Sequence, residues 1–113
     1  MVVYRYSGFL LGSAVLTMAM TAAEARPAKC LLEVAGKVYI DGPCDHSLLH
    51  AGDDDFIMTG ADGRFFAYVY VDGKRATAHW NGKAAERRAH DPLGKLTRDG
   101  ACWIGEGVKL CTR

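Results

Sequence analysis

Serine is scarce in this chain: beyond Ser7 and Ser13 near the start, only Ser47 is present, and no Gly-x-Ser-x-Gly surrounds it. A serine nucleophile held on a strained elbow is thereby excluded. No Cys-x-x-Cys occurs among the four cysteines, Cys30, Cys44, Cys102 and Cys111, so the patterns of a zinc ribbon and of a thioredoxin-type redox pair are both missing. Neither charge is in excess, with 14 Lys+Arg against 13 Asp+Glu and a formal net charge of +1. That balance removes the electrostatic drive on which nucleic-acid binding depends. No long amphipathic helical pattern, internal repeat or low-complexity tract is visible. A chain of 113 residues has no room for a separate cofactor domain, and no cofactor is expected.

The N-terminal region reads as an export signal. Arg5 supplies a positive start, Gly8 to Met20 is apolar, and Ala23-Glu24-Ala25 gives the small-x-small pattern of a cleavage site before Arg26. The apolar run falls short of the ~20 residues a bilayer-spanning helix needs. Residues 1–25 are therefore a signal peptide, with membrane contact only during export, and 26–113 form a single domain of a periplasmic or secreted protein. In an oxidising compartment the four cysteines are expected to pair. A two-residue turn at Glu106-Gly107 puts Cys102 directly opposite Cys111, in a non-hydrogen-bonded pair that a disulfide can bridge. Cys30 and Cys44 bracket a second hairpin turning near Gly36-Lys37, whose register is off by one and requires a bulge or a longer loop.

Glycine is abundant, 13 residues against a usual ~7%, and turn signals recur every ~8–12 residues, the signature of an all-β chain. Gly60-Ala61-Asp62-Gly63, Asp72-Gly73, Asn81-Gly82, Asp91-Pro92-Leu93-Gly94 and Asp99-Gly100 punctuate short β-prone runs. Residues 83–88 suit a strand or a helical turn equally. The expected architecture is an antiparallel meander of about seven to nine strands, closed into a small barrel or folded as a two-layer sandwich.

The hairpin around Asp72-Gly73, read as a type I′ turn, separates two faces. Phe65, Ala67, Val69 and Val71 share one with Lys74 at the tip and with Ala76, Ala78 and Trp80, and this face, apolar apart from Lys74, belongs to the core. The other carries Phe66 against His79, Tyr68 against Thr77 and Tyr70 against Arg75. Aromatic rings interleaved with a cation, a hydroxyl and an imidazole suit recognition, so Phe66, Tyr68, Tyr70, Arg75 and His79 form the expected partner-binding surface.

Other chemistry finds less support. His46 and His50 would share a face if helical, but a third metal ligand and the Glu of a His-Glu-x-x-His protease are missing. Asp53-Asp54-Asp55 lacks the alternating acids and closing Glu of an EF-hand. Solvated loops are the simpler reading of both, and no metal site is expected. Charge is segregated along the chain. Asp41, Asp45, Asp53, Asp54, Asp55 and Asp62 meet no Lys or Arg between Val38 and Gly63, whereas Arg64 to Arg98 is strongly basic. The two halves either neutralise each other or form separate patches that steer a partner.

The stretch Asp91-Pro92-Leu93-Gly94-Lys95-Leu96-Thr97-Arg98-Asp99-Gly100-Ala101-Cys102-Trp103, with Cys111 behind it, resembles a family of short exported proteins of Gram-negative bacteria to which no activity is assigned. Cys30-Leu31-Leu32-Glu33-Val34 and the Val38 to Cys44 segment extend the resemblance, which implies export and a compact disulfide-bonded domain. In size and class the chain is also similar to periplasmic lysozyme inhibitors, without their Ser-Gly-x-Gly-x-Lys-Tyr loop. The expected function is a non-enzymatic binding protein for an envelope or host protein. The alternative is a glycan- or divalent-metal-binding module.

Overall fold

The computed structural model describes residues 25–113; the expected leader lies outside them, Ala25 excepted. Eight antiparallel strands follow one another around a closed barrel: β1 (Arg26–Val34), β2 (Lys37–Leu48), β3 (Phe56–Gly60), β4 (Phe66–Asp72), β5 (Arg75–Trp80), β6 (Asp91–Asp99), β7 (Cys102–Gly105) and β8 (Val108–Thr112). β8 pairs back onto β1 to close the ring. Closure decides between barrel and sandwich, and it leaves no full-length sheet edge open to association. No helix forms among the described residues.

The interior is filled by side chains. Leu32, Met58, Leu96, Leu110 and Val69 are fully buried, and the small Ala67, Ala76 and Ala78 on β4 and β5 leave room for Trp80 and Trp103. Each large side chain removed from water here contributes about 1.5–3 kcal/mol. Aromatic clusters sit at both ends. At one, Tyr39 meets Trp80 edge-on at 4.6 Å and Phe65 at 5.1 Å. At the other, His46 stacks on Phe56 at 4.6 Å, and Arg98 lies 5.2 Å from the Trp103 ring centre while its Nε–H donates to the Gly100 carbonyl.

Two bulges supply residues to this interior. Leu32 pairs with Ile40 and Glu33 with Val38, so Tyr39 is the extra residue that reaches the ring cluster. On β6, Ala78 pairs with Gly94 but His79 with Pro92, which turns Leu93 inward, where it is buried. The expected turn at Asp91-Pro92-Leu93-Gly94 is thus a bulged start of β6, with Gly94 at a φ of 83°.

Both expected disulfides are formed, consistent with an oxidising compartment. They lie on opposite sides of the wall. Cys30 and Cys44 are buried in the core, offset across β1 and β2 because Cys30 pairs with Gly42 and Ala28 with Cys44. Cys102 and Cys111 sit directly opposite each other, as the Glu106-Gly107 turn requires, and alternate with the inward Trp103 and Leu110, so this bridge faces outward.

Three hairpin turns differ by one residue from the sequence reading. The β1–β2 turn is Ala35-Gly36, since Val34 pairs with Lys37; both turn residues have positive φ, 53° and 81°, as type I′ demands. The β4–β5 turn is Gly73-Lys74 and the β6–β7 turn Gly100-Ala101. In these last two only the glycine, at the first central position, has positive φ, which fits type II′ rather than I′.

Candidate functional site

The one-residue slip at Gly73 moves every cross-strand pair of the β4–β5 hairpin by two, so faces are kept while partners change. Ala67 now meets Trp80, Tyr68 meets His79, Tyr70 meets Thr77 and Asp72 meets Arg75. The sequence-expected pairs Phe66/His79, Tyr68/Thr77 and Tyr70/Arg75 are thereby corrected. The new register sets the smallest inward residue against the largest and opposes unlike charges on the outside, both favourable in a two-stranded unit.

The outer wall can be traced row by row from the ladders. One row runs Ser47, Ile57, Tyr68, His79, Pro92 across five strands. Beside it run Asp45, Thr59, Phe66 and, on the other flank, Tyr70, Thr77, Lys95. The aromatic face therefore points away from the filled interior. It is graded: Phe66, Tyr68 and His79 are half-buried, while Tyr70 is 43% exposed and Arg75 is open to solvent.

The cover comes from residues 81–90, the connection between β5 and β6. This segment, read from sequence as an Asn81-Gly82 turn and a further strand or helical turn, is an irregular loop organised by one side chain. Asn81 is the buried polar residue of the domain, 4% exposed. Its Nδ2 donates to the carbonyls of Arg64, Lys83 and Glu86 at 2.9–3.1 Å, and its Oδ1 accepts from the Phe66 N–H at 3.1 Å. Ala85 N–H donates to the Arg64 carbonyl as well, from a positive φ of 66°. Such a satisfied buried amide fixes backbone on both sides of it.

So anchored, the loop carries Arg87, Arg88 and Ala89 to the β4–β5 wall. With Tyr68, Tyr70 and His79 they line a cleft of about 470 Å³. Tyr70 also borders a neighbouring cleft of about 700 Å³, whose rim includes Arg75, Thr77, Lys95, Asp55 and Asp72. The two meet at Tyr70 in one trough, whose far part turns in at the end of the barrel, where the core-side residues Val71, Ala76 and Leu96 line it. Of the expected partner-binding residues, Tyr68, Tyr70 and His79 converge in the first cleft and Arg75 lines the second. Phe66 packs edge-on against Tyr68 at the covered end, ring centres 6.0 Å apart. Arg87 and Arg88 were not foreseen, nor was Ile57, although strict alternation between the inward Phe56 and Met58 places Ile57 outward beside Tyr68.

The remaining candidates are dispersed. His46 lies inside the end of β2, not on a helix with His50, which sits in the following loop. Burial holds the His46 imidazole below its ordinary value of 6.5, and the Arg26 charge across the ladder acts in the same direction. In the acidic loop, Asp55 accepts the Val71 N–H at 2.7 Å, a structural tie from the loop to β4. Among the described residues no group of three His, Cys, Asp or Glu side chains converges. The segregated charges occupy different walls: Asp41 and Asp45 are exposed on β2, Arg75 and Lys95 on β5 and β6.

Compared with known proteins, the chain matches no family model, no curated protein and no solved structure.

Proposed function

We propose that this is a non-enzymatic binding protein of the periplasm or the secreted fraction, and that it recognises another protein through the outer aromatic trough. One observation carries the reading. With the barrel interior filled by core side chains, the partly covered cleft of Tyr68, Tyr70, His79, Arg87 and Arg88 on the outer wall is where aromatic and cationic groups come together. Tyrosine and arginine are the side chains that concentrate binding energy at protein interfaces. The charged residues exposed on the outer wall, Asp45, Lys95 and Lys109 among them, suit water rather than lipid. Oxidised cysteines and the export-signal pattern at 1–25 support the compartment, as does the resemblance to short exported proteins.

Tyr68→Ala and Tyr70→Ala test the reading in cross-linking capture from envelope extracts and host secretions. Loss of a hot-spot tyrosine costs about 2 kcal/mol, some thirtyfold in affinity, so proteins captured by the wild type should disappear with both variants while the thermal melt is preserved. Identical capture by wild type and variants, or no capture at all, would refute it.

A further inference from the structure

We infer that the segment this trough receives is acidic, an extended stretch of the partner protein whose carboxylates meet Arg87 and Arg88. The inference rests on the recognition reading above and goes further by naming the chemistry of the occupant. The first support is the lining. Tyr68, Tyr70, His79, Arg87, Arg88 and Ala89 contain no acid, and the one carboxylate nearest in sequence, Glu86, is turned back to accept the Arg87 backbone N–H. Beyond Tyr70, Arg75 and Lys95 share the neighbouring cleft with Asp55 and Asp72, the last directly opposite Arg75, so the cations there are balanced by acids. A cationic centre with acids at one end sets a direction: the carboxylates belong beside the loop, not beyond Tyr70.

The second support is preorganisation. Four side-chain hydrogen bonds from Asn81 and the Ala85 to Arg64 backbone bond hold the loop that bears both arginines. Little backbone ordering is left for the binding step. Arg87 and Arg88 are exposed and free to meet carboxylates, beside the half-buried Tyr68 and His79.

The third support is shape. Phe66, Tyr68 and Tyr70 stand on one face of a single strand, a reach of about 13 Å, or four extended residues of a bound chain. Half-buried Ile57 flanks Tyr68 and, with Phe66, offers apolar contact to side chains that an acidic sugar polymer does not carry. That favours an acidic peptide over an anionic glycan.

The test uses residues 26–113 with both disulfides intact, and follows the fluorescence anisotropy of a labelled hexaglutamate peptide carrying one phenylalanine. Saturable binding is expected, weakening as sodium chloride rises. Arg87→Gln/Arg88→Gln should weaken it about tenfold. Lys109→Gln, on β8 across the barrel, should leave it unchanged. Matching thermal melts show that the variants are folded. No binding of the peptide, an equal loss with Lys109→Gln, or tighter binding of oligogalacturonate would each overturn the inference, the last by assigning the site to an anionic glycan. Partner capture that depends on Tyr68 but not on Arg87 and Arg88 would also overturn it while leaving the recognition reading standing.

Discussion

Removing the inner disulfide will destabilise this barrel more than removing the outer one, by a margin that comes mainly from packing. Cys30 and Cys44 are 14 residues apart and Cys102 and Cys111 nine. In the chain-entropy model those loops correspond to about 3 and 2.6 kcal/mol, nearly equal. Burial separates them. Cys30 and Cys44 are 3% and 4% exposed and packed in the core, so Cys30→Ala/Cys44→Ala also leaves a void where two sulfur atoms were, adding about 1–2 kcal/mol. Cys102 is half-buried and Cys111 8% exposed, but neither belongs to the core cluster and their bridge lies on the outer face of the wall, so Cys102→Ala/Cys111→Ala leaves a hairpin still held by its ladder. A difference near 1.5–2.5 kcal/mol corresponds to about 6–20 °C in Tm for a domain of this length. Urea and thermal unfolding of the two double variants measure it directly. Timed thiol alkylation with intact-mass detection adds a kinetic readout, in which graded reductant opens the outer bridge before the inner. An outer-bridge variant as unstable as the inner one, or simultaneous reduction of both bridges in the folded protein, would refute the reasoning.

Gly105→Ala should destabilise by about 1–3 kcal/mol, because a Cβ there falls 2.7 Å from the Lys95 carbonyl oxygen and 2.6 Å from the Leu96 side chain; a urea midpoint equal to wild type would contradict that close approach. Asn81→Ala should cost about 2–3 kcal/mol, since it strips the Asn81 partner from the Phe66 N–H and from the carbonyls of Lys83 and Glu86, the Arg64 carbonyl keeping the Ala85 N–H. Hydrogen exchange should then show loss of protection in 81–90, and peptide binding at Arg87 and Arg88 should fall with it. For pH, His46 is harder to protonate in the folded state than at its ordinary 6.5. The unfolded chain therefore binds the proton first, and this stabilising contribution is full above 6.5 and lost as pH falls below it towards the depressed folded value. His46→Phe, which keeps a ring on Phe56, should flatten that part of the Tm profile between neutrality and about pH 5; a variant profile as steep as wild type would place the titration elsewhere.

How much could be read from the chain depended on what fixed each register. The β7–β8 hairpin was legible to the residue because two cysteines at equal distance from Glu106-Gly107 admit one alignment. Around Asp72-Gly73-Lys74 the glycine satisfies either a I′ or a II′ turn, and the choice was made by distant neighbours: Ala67 opposite Trp80 inside and Asp72 opposite Arg75 outside. A shift of two preserves alternation, which is why the aromatic face was right and its pairings were not. The loop at 81–90 was opaque because the partners of Asn81 lie at Arg64 and Phe66, beyond the reach of any local pattern. Arg87 and Arg88, carried by that loop, were therefore invisible as site residues. The bulge at Tyr39 was foreseen only as a need for an extra residue; its direction was set by the void beside Trp80 and Phe65.

Seven of the eight ladders join strands that are consecutive in the chain, and the eighth, between β1 and β8, shuts the ring. Hairpins can thus zip one after another with little loop-closure entropy, and the seam is the late, long-range event. A lesion there, at Leu31 or Thr112 for instance, unmasks a pair of raw strand borders together. The consequence is asymmetric vulnerability: damage elsewhere softens the molecule, whereas damage along this seam converts a self-contained cylinder into an open ribbon primed to stack on its own kind.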